Sequence, residues 1–318
     1  MKTSLHEIGR FEDRLSFLYV DRAVIHQKDK AIAIWESDGV SDVPVASLAT
    51  LMLGPGVKIS HEAIKCLAEN NCLVLWAGEL GIRFYACGMG GARHSRNLLR
   101  QARLALDERS RLRVVVRMYR ARFDDEVDDS ITLRQLRGKE GIRVRQAYAE
   151  ASARTGVPWS GRDYKRQHWH GADPVNRALS AANACLYGLV HAAIISGGYS
   201  PAVGFIHTGK QLSFVYDIAD LYKAELTIPL AFEVSAAGPD QLEREVRIAC
   251  RRRFHQARLL KRILPDIRQV LDVAQDEPPE DEFADDPARP AELWEPTAFS
   301  ADTPIGDILA SSATRGAS

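Results

Sequence analysis

The spacing of apolar and polar positions changes character once along the chain. Residues 14–87 hold short apolar runs of strand length, LSFLYV, AVIHQ, AIAIWE, LATLML, CLVLWA and IRFYAC, separated by Asp, Gly, Pro and Lys. Such runs, rich in β-branched and aromatic residues and bounded by turn formers, predict β-strands. One helix interrupts them: Ser60 is placed to cap HEAIKCLAEN, and Asn70-Asn71 to end it. Gly88-Met89-Gly90-Gly91 then breaks the pattern, and from His94 onward the apolar positions recur at helical spacing. Helices are predicted over 94–123, 131–154, 174–197, 217–224, 228–236 and 240–272. In the first of these, Leu98, Leu99, Leu104, Leu106, Leu112, Val115, Val116 and Met118 form an apolar stripe among arginines. The expectation is an α+β chain with a β-rich domain over 1–87, a linker over 88–93, an all-α domain over 94–275 and a tail over 276–318.

At 318 residues and 46% hydrophobic content, the chain is long enough to bury a sizeable core. No apolar run approaches the roughly 18 residues that a membrane span needs, and Met1–Arg10 lacks the apolar centre of a signal peptide, so an intracellular, cytoplasmic protein is expected. The five cysteines, Cys66, Cys72, Cys87, Cys185 and Cys250, form no C-x-x-C pair and read as reduced, small apolar residues. The formal net charge is zero, but it is unevenly distributed. Residues 276–318 hold eleven acids against Arg289 and Arg315, which leaves 31 acids and 40 bases in residues 1–275. A basic body with an acidic, proline-rich tail suggests a polyanion partner, and a tail disordered until a partner arrives. Phe283, Leu293, Trp294, Ile305, Ile308 and Leu309 in that tail are either docking points or incidental.

The candidate chemistry lies in IHTGKQLSFVYDIAD, where His207, Asp217 and Asp220 combine an imidazole with two carboxylates. Asp217 and Asp220 are three apart, so on a helix they share a face and can reach one ion or one phosphate. A carboxylate–histidine metal site in a basic protein points to phosphodiester chemistry on nucleic acid. A further carboxylate, Glu140, sits among Arg134, Arg137, Lys139, Arg143 and Arg145. Alone it reads as a surface ion pair; with the other three it completes a catalytic set of Glu140, His207, Asp217 and Asp220. Gly204 to Lys210 fits G-x-x-x-x-G-K, but Gln211 replaces the Ser or Thr that would hold magnesium. The two glycines therefore read as backbone bends, with Lys210 offering a point charge to a phosphate.

For DNA handling, Tyr164 and Trp169 alternate with Arg162, Lys165 and Arg166 in GRDYKRQHWH. That loop is either a clamp that stacks on splayed bases or a pair of core anchors. Arg83, Lys223, Arg244, Arg247 and Arg251 are candidate phosphate contacts, the last three on one helical face.

At this point a resemblance emerges. The E-G-x-R-V-R segment at Glu140, G-F-I-H-T-G-K at His207 and S-F-V-Y-D-I-A-D at Asp217 and Asp220 resemble the CRISPR-associated spacer-acquisition integrase family, in the branch serving type I-E systems. The likeness extends through L-M-L-G-P-G-V-K-I-S-H at 51–61, the G-G-A-R ending at Arg93, Q-A-R-L-A-L-D-E at 101–108 and L-Y-G at 186–188. It implies a β-sandwich-like N-terminal domain, an all-α catalytic domain and a homodimer built partly through the former. It also implies that Glu140, His207 and Asp220 hold Mg²⁺ or Mn²⁺, that Asp217 supports them or binds metal transiently, and that Tyr187 and Tyr216 lie near the active site. The implied reaction joins a captured DNA fragment to a CRISPR repeat. The acidic tail would dock a small dimeric second CRISPR-associated protein to form a heterohexamer. Two other readings stand beside it: a metal-dependent repair nuclease acting on branched DNA, which uses the same residues, and a non-enzymatic nucleic-acid scaffold in which the acidic tail autoinhibits the basic body.

Overall fold

The computed structural model describes residues 17–78, 84–88, 95–123, 128, 130–162, 173–238 and 240–273. The first described elements are strands β1 (Leu18–Val20), β2 (Val24–Lys28), β3 (Ala31–Glu36), β4 (Gly39–Pro44), β5 (Thr50–Leu53) and β6 (Lys58–Ile59). Helix α1 (His61–Glu69) follows, then β7 (Leu73–Ala77) and β8 (Phe84–Cys87). They build two four-stranded sheets, β1-β5-β7-β8 and β4-β3-β2-β6. In the first, β1, β5 and β7 run parallel and β8 antiparallel. In the second, β3 pairs antiparallel with β2 and β4. Helix α1 starts where expected: the Ser60 hydroxyl accepts the Ala63 N–H at 3.2 Å, and Asn70 caps the other end.

Alternation along the first sheet decides how the molecule is layered. Leu51, Leu53 and Val74 pack with Ile25, Ile32, Ile34 and Leu67 in a core of the β-rich part. Met52, Leu73 and Leu75, from the opposite face, join the core of the helical part. Because successive strand side chains point to opposite faces, one sheet thus serves two cores, and β5 is buried at every position. The sandwich-like β-rich part and the following helical part are both as expected. They are joined by Phe17 against Phe254, ring centroids 6.4 Å apart, and by the Arg247 guanidinium 4.4 Å over the Tyr19 ring.

The helical part comprises α2 (Arg96–Leu106), α3 (Glu108–Arg120), α4 (Leu133–Thr155), α5 (Pro174–Ser196), α6 (Ser213–Ala219), α7 (Ile228–Ala237), α8 (Leu242–Gln256) and α9 (Leu259–Leu271). Three predicted boundaries are corrected. The helix expected over 94–123 breaks at Asp107, whose carboxylate accepts the Ser110 N–H at 2.8 Å and caps α3. Leu98, Leu99, Leu106 and Leu112 from its apolar stripe are exposed, while Val115 and Met118 are buried. The helix expected over 240–272 breaks at Arg258, which takes φ +49° between α8 and α9. The helix expected over 217–224 begins instead at Ser213, ends at Asp220 and is followed by a π-helical turn at Lys223–Thr227. The helix over 131–154 is found as α4, with a capping box between Thr132 and Gln135.

Helix α5 corrects one exclusion: its 23 residues are long and apolar enough to cross a membrane by length and composition. In this fold 78% of its apolar window is buried inside the protein, as expected of a central core helix. Helices α6, α7, α8 and α9 pack against it. The predicted linker residues 89–93 and the tail from 276 lie outside the described residues.

Candidate functional site

Asp217 sits inside α6 with no exposure. Its Oδ2 accepts the backbone N–H groups of Phe205 at 2.6 Å and Ile206 at 3.1 Å, and its Oδ1 accepts that of His207 at 2.9 Å. Oδ1 also meets His207 Nδ1 at 2.7 Å. One carboxylate therefore shapes the loop and orients the imidazole on it. With Nδ1–H donating to Asp217, the Nε2 lone pair is available and has no protein partner among the described residues. The hydrogen bond to Asp217 raises the His207 pKa above its ordinary value; partial burial opposes this and the Asp220 charge adds to it.

The same loop is anchored from its other side. Gln101, fully buried on α2, donates to the Ser200 and Val203 carbonyls at 3.0 and 2.8 Å and accepts the Ser200 N–H at 2.8 Å. Arg111 on α3 donates twice to the Phe205 carbonyl, at 3.0 and 2.9 Å. The glycines of the G-x-x-x-x-G-K segment do act as backbone bends. A Cβ on Gly204 would stand 2.3 Å from the His207 carbonyl oxygen, and Gly209 takes φ +79°.

Glu140 and Asp220 face a second centre. Arg143, one turn along α4, holds Glu140 with two hydrogen bonds, Nε to Oε2 at 2.8 Å and Nη2 to Oε1 at 3.0 Å. Arg122, just beyond α3, places Nη1 3.2 Å from Glu140 Oε1 and Nη2 3.7 Å from Asp220 Oδ2. Lys223, in the π-helical turn, pairs with Asp220 Oδ1 at 2.7 Å and stands 4.9 Å over the Tyr187 ring. Burial pulls the Lys223 pKa down, but the Asp220 charge and hydrogen bond, with Tyr187, leave it above its ordinary value. Burial raises that of Tyr187, against the nearby Lys223 charge. Tyr187 meets Tyr216 edge to face at 5.1 Å, and Tyr216 meets the His207 ring at 6.0 Å, closing the cluster.

The structure thus gathers Glu140, Tyr187, His207, Tyr216, Asp217, Asp220 and Lys223 into one connected site. Asp217 and Asp220 do not turn to a common partner: the first is consumed by the His207 loop, the second by Arg122 and Lys223. Lys210 is exposed three residues past His207. Arg244 and Arg251 are exposed on α8, whereas Arg247 lies against Tyr19. Arg83, Tyr164, Lys165 and Trp169 lie outside the described residues. Sequence reasoning missed Arg122, Gln101 and Arg111. The only available signal was Gln101 itself, a polar residue near the apolar stripe of α2; the two arginines look like their solvated neighbours.

The donor set fits a hard divalent ion in its chemistry: two carboxylates bridged by one guanidinium, and an imidazole with Nε2 available. Among the described residues no three His, Cys, Asp or Glu groups converge on one ion-sized point, and Arg122 bridges the two carboxylates.

Fold and site define the class: a β-sandwich-like part followed by a helical part that presents an acidic cluster containing histidine and held by one buried and two half-buried cations. The chain belongs to the CRISPR associated protein Cas1 family, whose model matches residues 17–126 and 121–241. It is 50% identical to the "CRISPR-associated endonuclease Cas1 2" of Thermus thermophilus, covering 92% of this chain and 90% of that one. It is 41% identical to the "CRISPR-associated endonuclease Cas1" of Escherichia coli K12, covering 93% and 94%. A crystal structure of a TtCas1-DNA complex superposes with a TM-score of 0.77 at 46% identity, over 90% of this chain and 99% of that one.

Proposed function

We propose that this chain is a CRISPR-associated DNA endonuclease and integrase that inserts short DNA fragments into a CRISPR array. The observation that carries this reading is the pair of carboxylates, Glu140 and Asp220, bridged by Arg122 beside His207, in a chain half identical to an endonuclease. The TtCas1-DNA complex, close in fold, supports DNA as the partner.

In the reaction a fragment 3′-oxygen forms a new P–O bond at a repeat phosphodiester. The repeat strand's own 3′-oxygen leaves and takes up a proton, with no covalent enzyme intermediate. Glu140, His207 and Asp220 would hold Mg²⁺ or Mn²⁺, which when bound polarises a phosphoryl oxygen and favours attack. Asp217 keeps the imidazole from turning, so Nε2 remains directed outward. Lys223 balances Asp220, and exposed Lys210 offers a point charge to a nonbridging phosphate oxygen. Arg244 and Arg251 supply backbone contacts that do not depend on sequence. Water in place of the 3′-hydroxyl gives hydrolysis at the same site.

In this reading the protein works in the cytoplasm as a homodimer joined partly through its β-rich part. Its acidic tail docks a small dimeric second CRISPR-associated protein, giving a heterohexamer. The test is strand transfer in Mg²⁺ or Mn²⁺ from a short duplex with free 3′-hydroxyls to a supercoiled plasmid carrying leader and repeat, with the partner protein present. Wild type is expected to yield joined product and His207→Ala none. Cleavage without joining leaves a repair nuclease, and activity unaffected by the substitution removes His207 from the chemistry.

A further inference from the structure

Arg122 is an unusual buried cation. Its side chain is 5% exposed, yet among the described residues Nε and Nη2 have no hydrogen-bond partner, and the side chain's one hydrogen bond is the 3.2 Å contact from Nη1 to Glu140. At 3.7 Å from Asp220 Oδ2, Nη2 attracts that carboxylate without bonding it. The Tyr119 ring, 5.0 Å from the guanidinium carbon, covers one face. Leaving guanidinium donors unpaired in the interior costs stability, so this arrangement is poorly explained as a device for folding. It is also redundant for Glu140, which Arg143 already holds through both oxygens, and for Asp220, which already has Lys223. What Arg122 alone does is link the two carboxylates, which come from elements eighty residues apart in the chain.

We propose that Arg122 is a positioning residue that serves as a built-in counter-ion between Glu140 and Asp220, so that the site binds a divalent ion weakly until a DNA phosphate arrives. This rests on the metal-site reading above. The three carboxylates Glu140, Asp217 and Asp220 are matched by the cations Arg122, Arg143 and Lys223. A divalent ion entering that balance meets the Arg122 charge at close range, and Coulomb repulsion in a poorly solvated site is strong. A phosphodiester bound beside the ion restores part of the balance. Metal and DNA therefore assist each other's binding.

The experiment measures Mn²⁺ affinity by the electron paramagnetic resonance signal of free Mn²⁺. The full-length protein is used with and without a duplex that mimics the integration product. For Arg122→Met, which removes the charge and keeps the bulk, Mn²⁺ should bind about tenfold more tightly than to wild type without DNA. The gain that DNA brings to Mn²⁺ binding should shrink by a similar factor. Arg122→Lys, which keeps the charge, should stay near wild type. Affinity unchanged or weakened in Arg122→Met overturns the proposal, because a purely structural arginine would weaken the site when removed. Asp220→Asn is the control: if it binds Mn²⁺ like wild type, the metal-site reading itself fails. Should Arg122→Met not fold, the Nε resonance of Arg122 in ¹⁵N-arginine protein, assigned with Arg122→Lys, decides. It should shift on Mg²⁺ titration and shift further with DNA; no response to either overturns the proposal.

Discussion

The Asp217 carboxylate lies 2.7 Å from the His207 Nδ1, and it grips the backbone that carries His207 with three further hydrogen bonds. Orientation and loop shape therefore fail together when this residue is altered. Asp217→Asn is expected to lower strand transfer by about 10- to 100-fold, the usual cost of losing the carboxylate behind a ligating histidine. Stability should also fall by about 2 kcal/mol as charge-assisted bonds become neutral ones. Thermal unfolding and single-turnover joining measured on the same preparation check both. Full activity with lowered stability would confine Asp217 to loop architecture.

Gly204 makes a sharper demand, because the approaching atom is backbone. A Cβ there would also stand 2.7 Å from the Ser213 Cβ, so neither neighbour can rotate away. Gly204→Ala is expected to cost about 1–3 kcal/mol, the range for overpacking, and to move His207 relative to Asp217. The His207 ring resonances, followed by NMR in the variant and in wild type, report that displacement directly.

These two residues also show how far the chain could be read in advance. His207, Asp217 and Asp220 stood out because an imidazole and carboxylates at close spacing among bases are uncommon in a merely solvated face, and Glu140, far from them in the chain, stood out only jointly with them. The partition of labour among them was not. Asp217 turns inward because α6 starts four residues earlier than periodicity suggested, and helix phase, unlike composition, decides which face a side chain takes. The helix cap at Ser60 was readable since its bond is local. The parallel order β1-β5-β7 depends on contacts some thirty residues apart, which alternation within a strand does not specify. Arg122 was invisible for the same reason: Arg117, Arg120 and Arg122 look alike until the partners from α4 and α6 are in place.

The arginines of α8 divide into two kinds with different signatures. Arg251 is exposed, and Arg251→Ala should weaken DNA binding similarly across sequences and lower the salt slope by about one. Arg247 is stacked on Tyr19 at the junction with the β-rich part, where burial pushes the tyrosine pKa up to about 12 despite the opposing arginine charge. Arg247→Ala should lower stability by about 1–2 kcal/mol, the range of a desolvated cation–π contact. DNA titrations at several salt concentrations, beside thermal melts, separate the two; a salt-slope change in Arg247→Ala equal to that of Arg251→Ala would erase the distinction.

His191, near the C-terminal end of α5, is expected to contribute to the acid sensitivity of the fold. Burial lowers its pKa from 6.5 to about 4, so the native protein keeps it neutral where an unfolded chain would protonate it. The sign follows from proton counting. Between those two values the unfolded chain binds more protons than the native one, so stability rises with pH across that window and falls on acidification. Fully developed, the effect is about 3 kcal/mol at roughly 1.4 kcal/mol per pKa unit. It is absent above neutral pH, where both states carry a neutral ring. His191→Leu removes the titration while keeping a side chain at a position only 5% exposed. Melting temperature plotted against pH should therefore drop between pH 6.5 and 4 in wild type and much less in the variant; parallel curves would place the acid sensitivity in other groups.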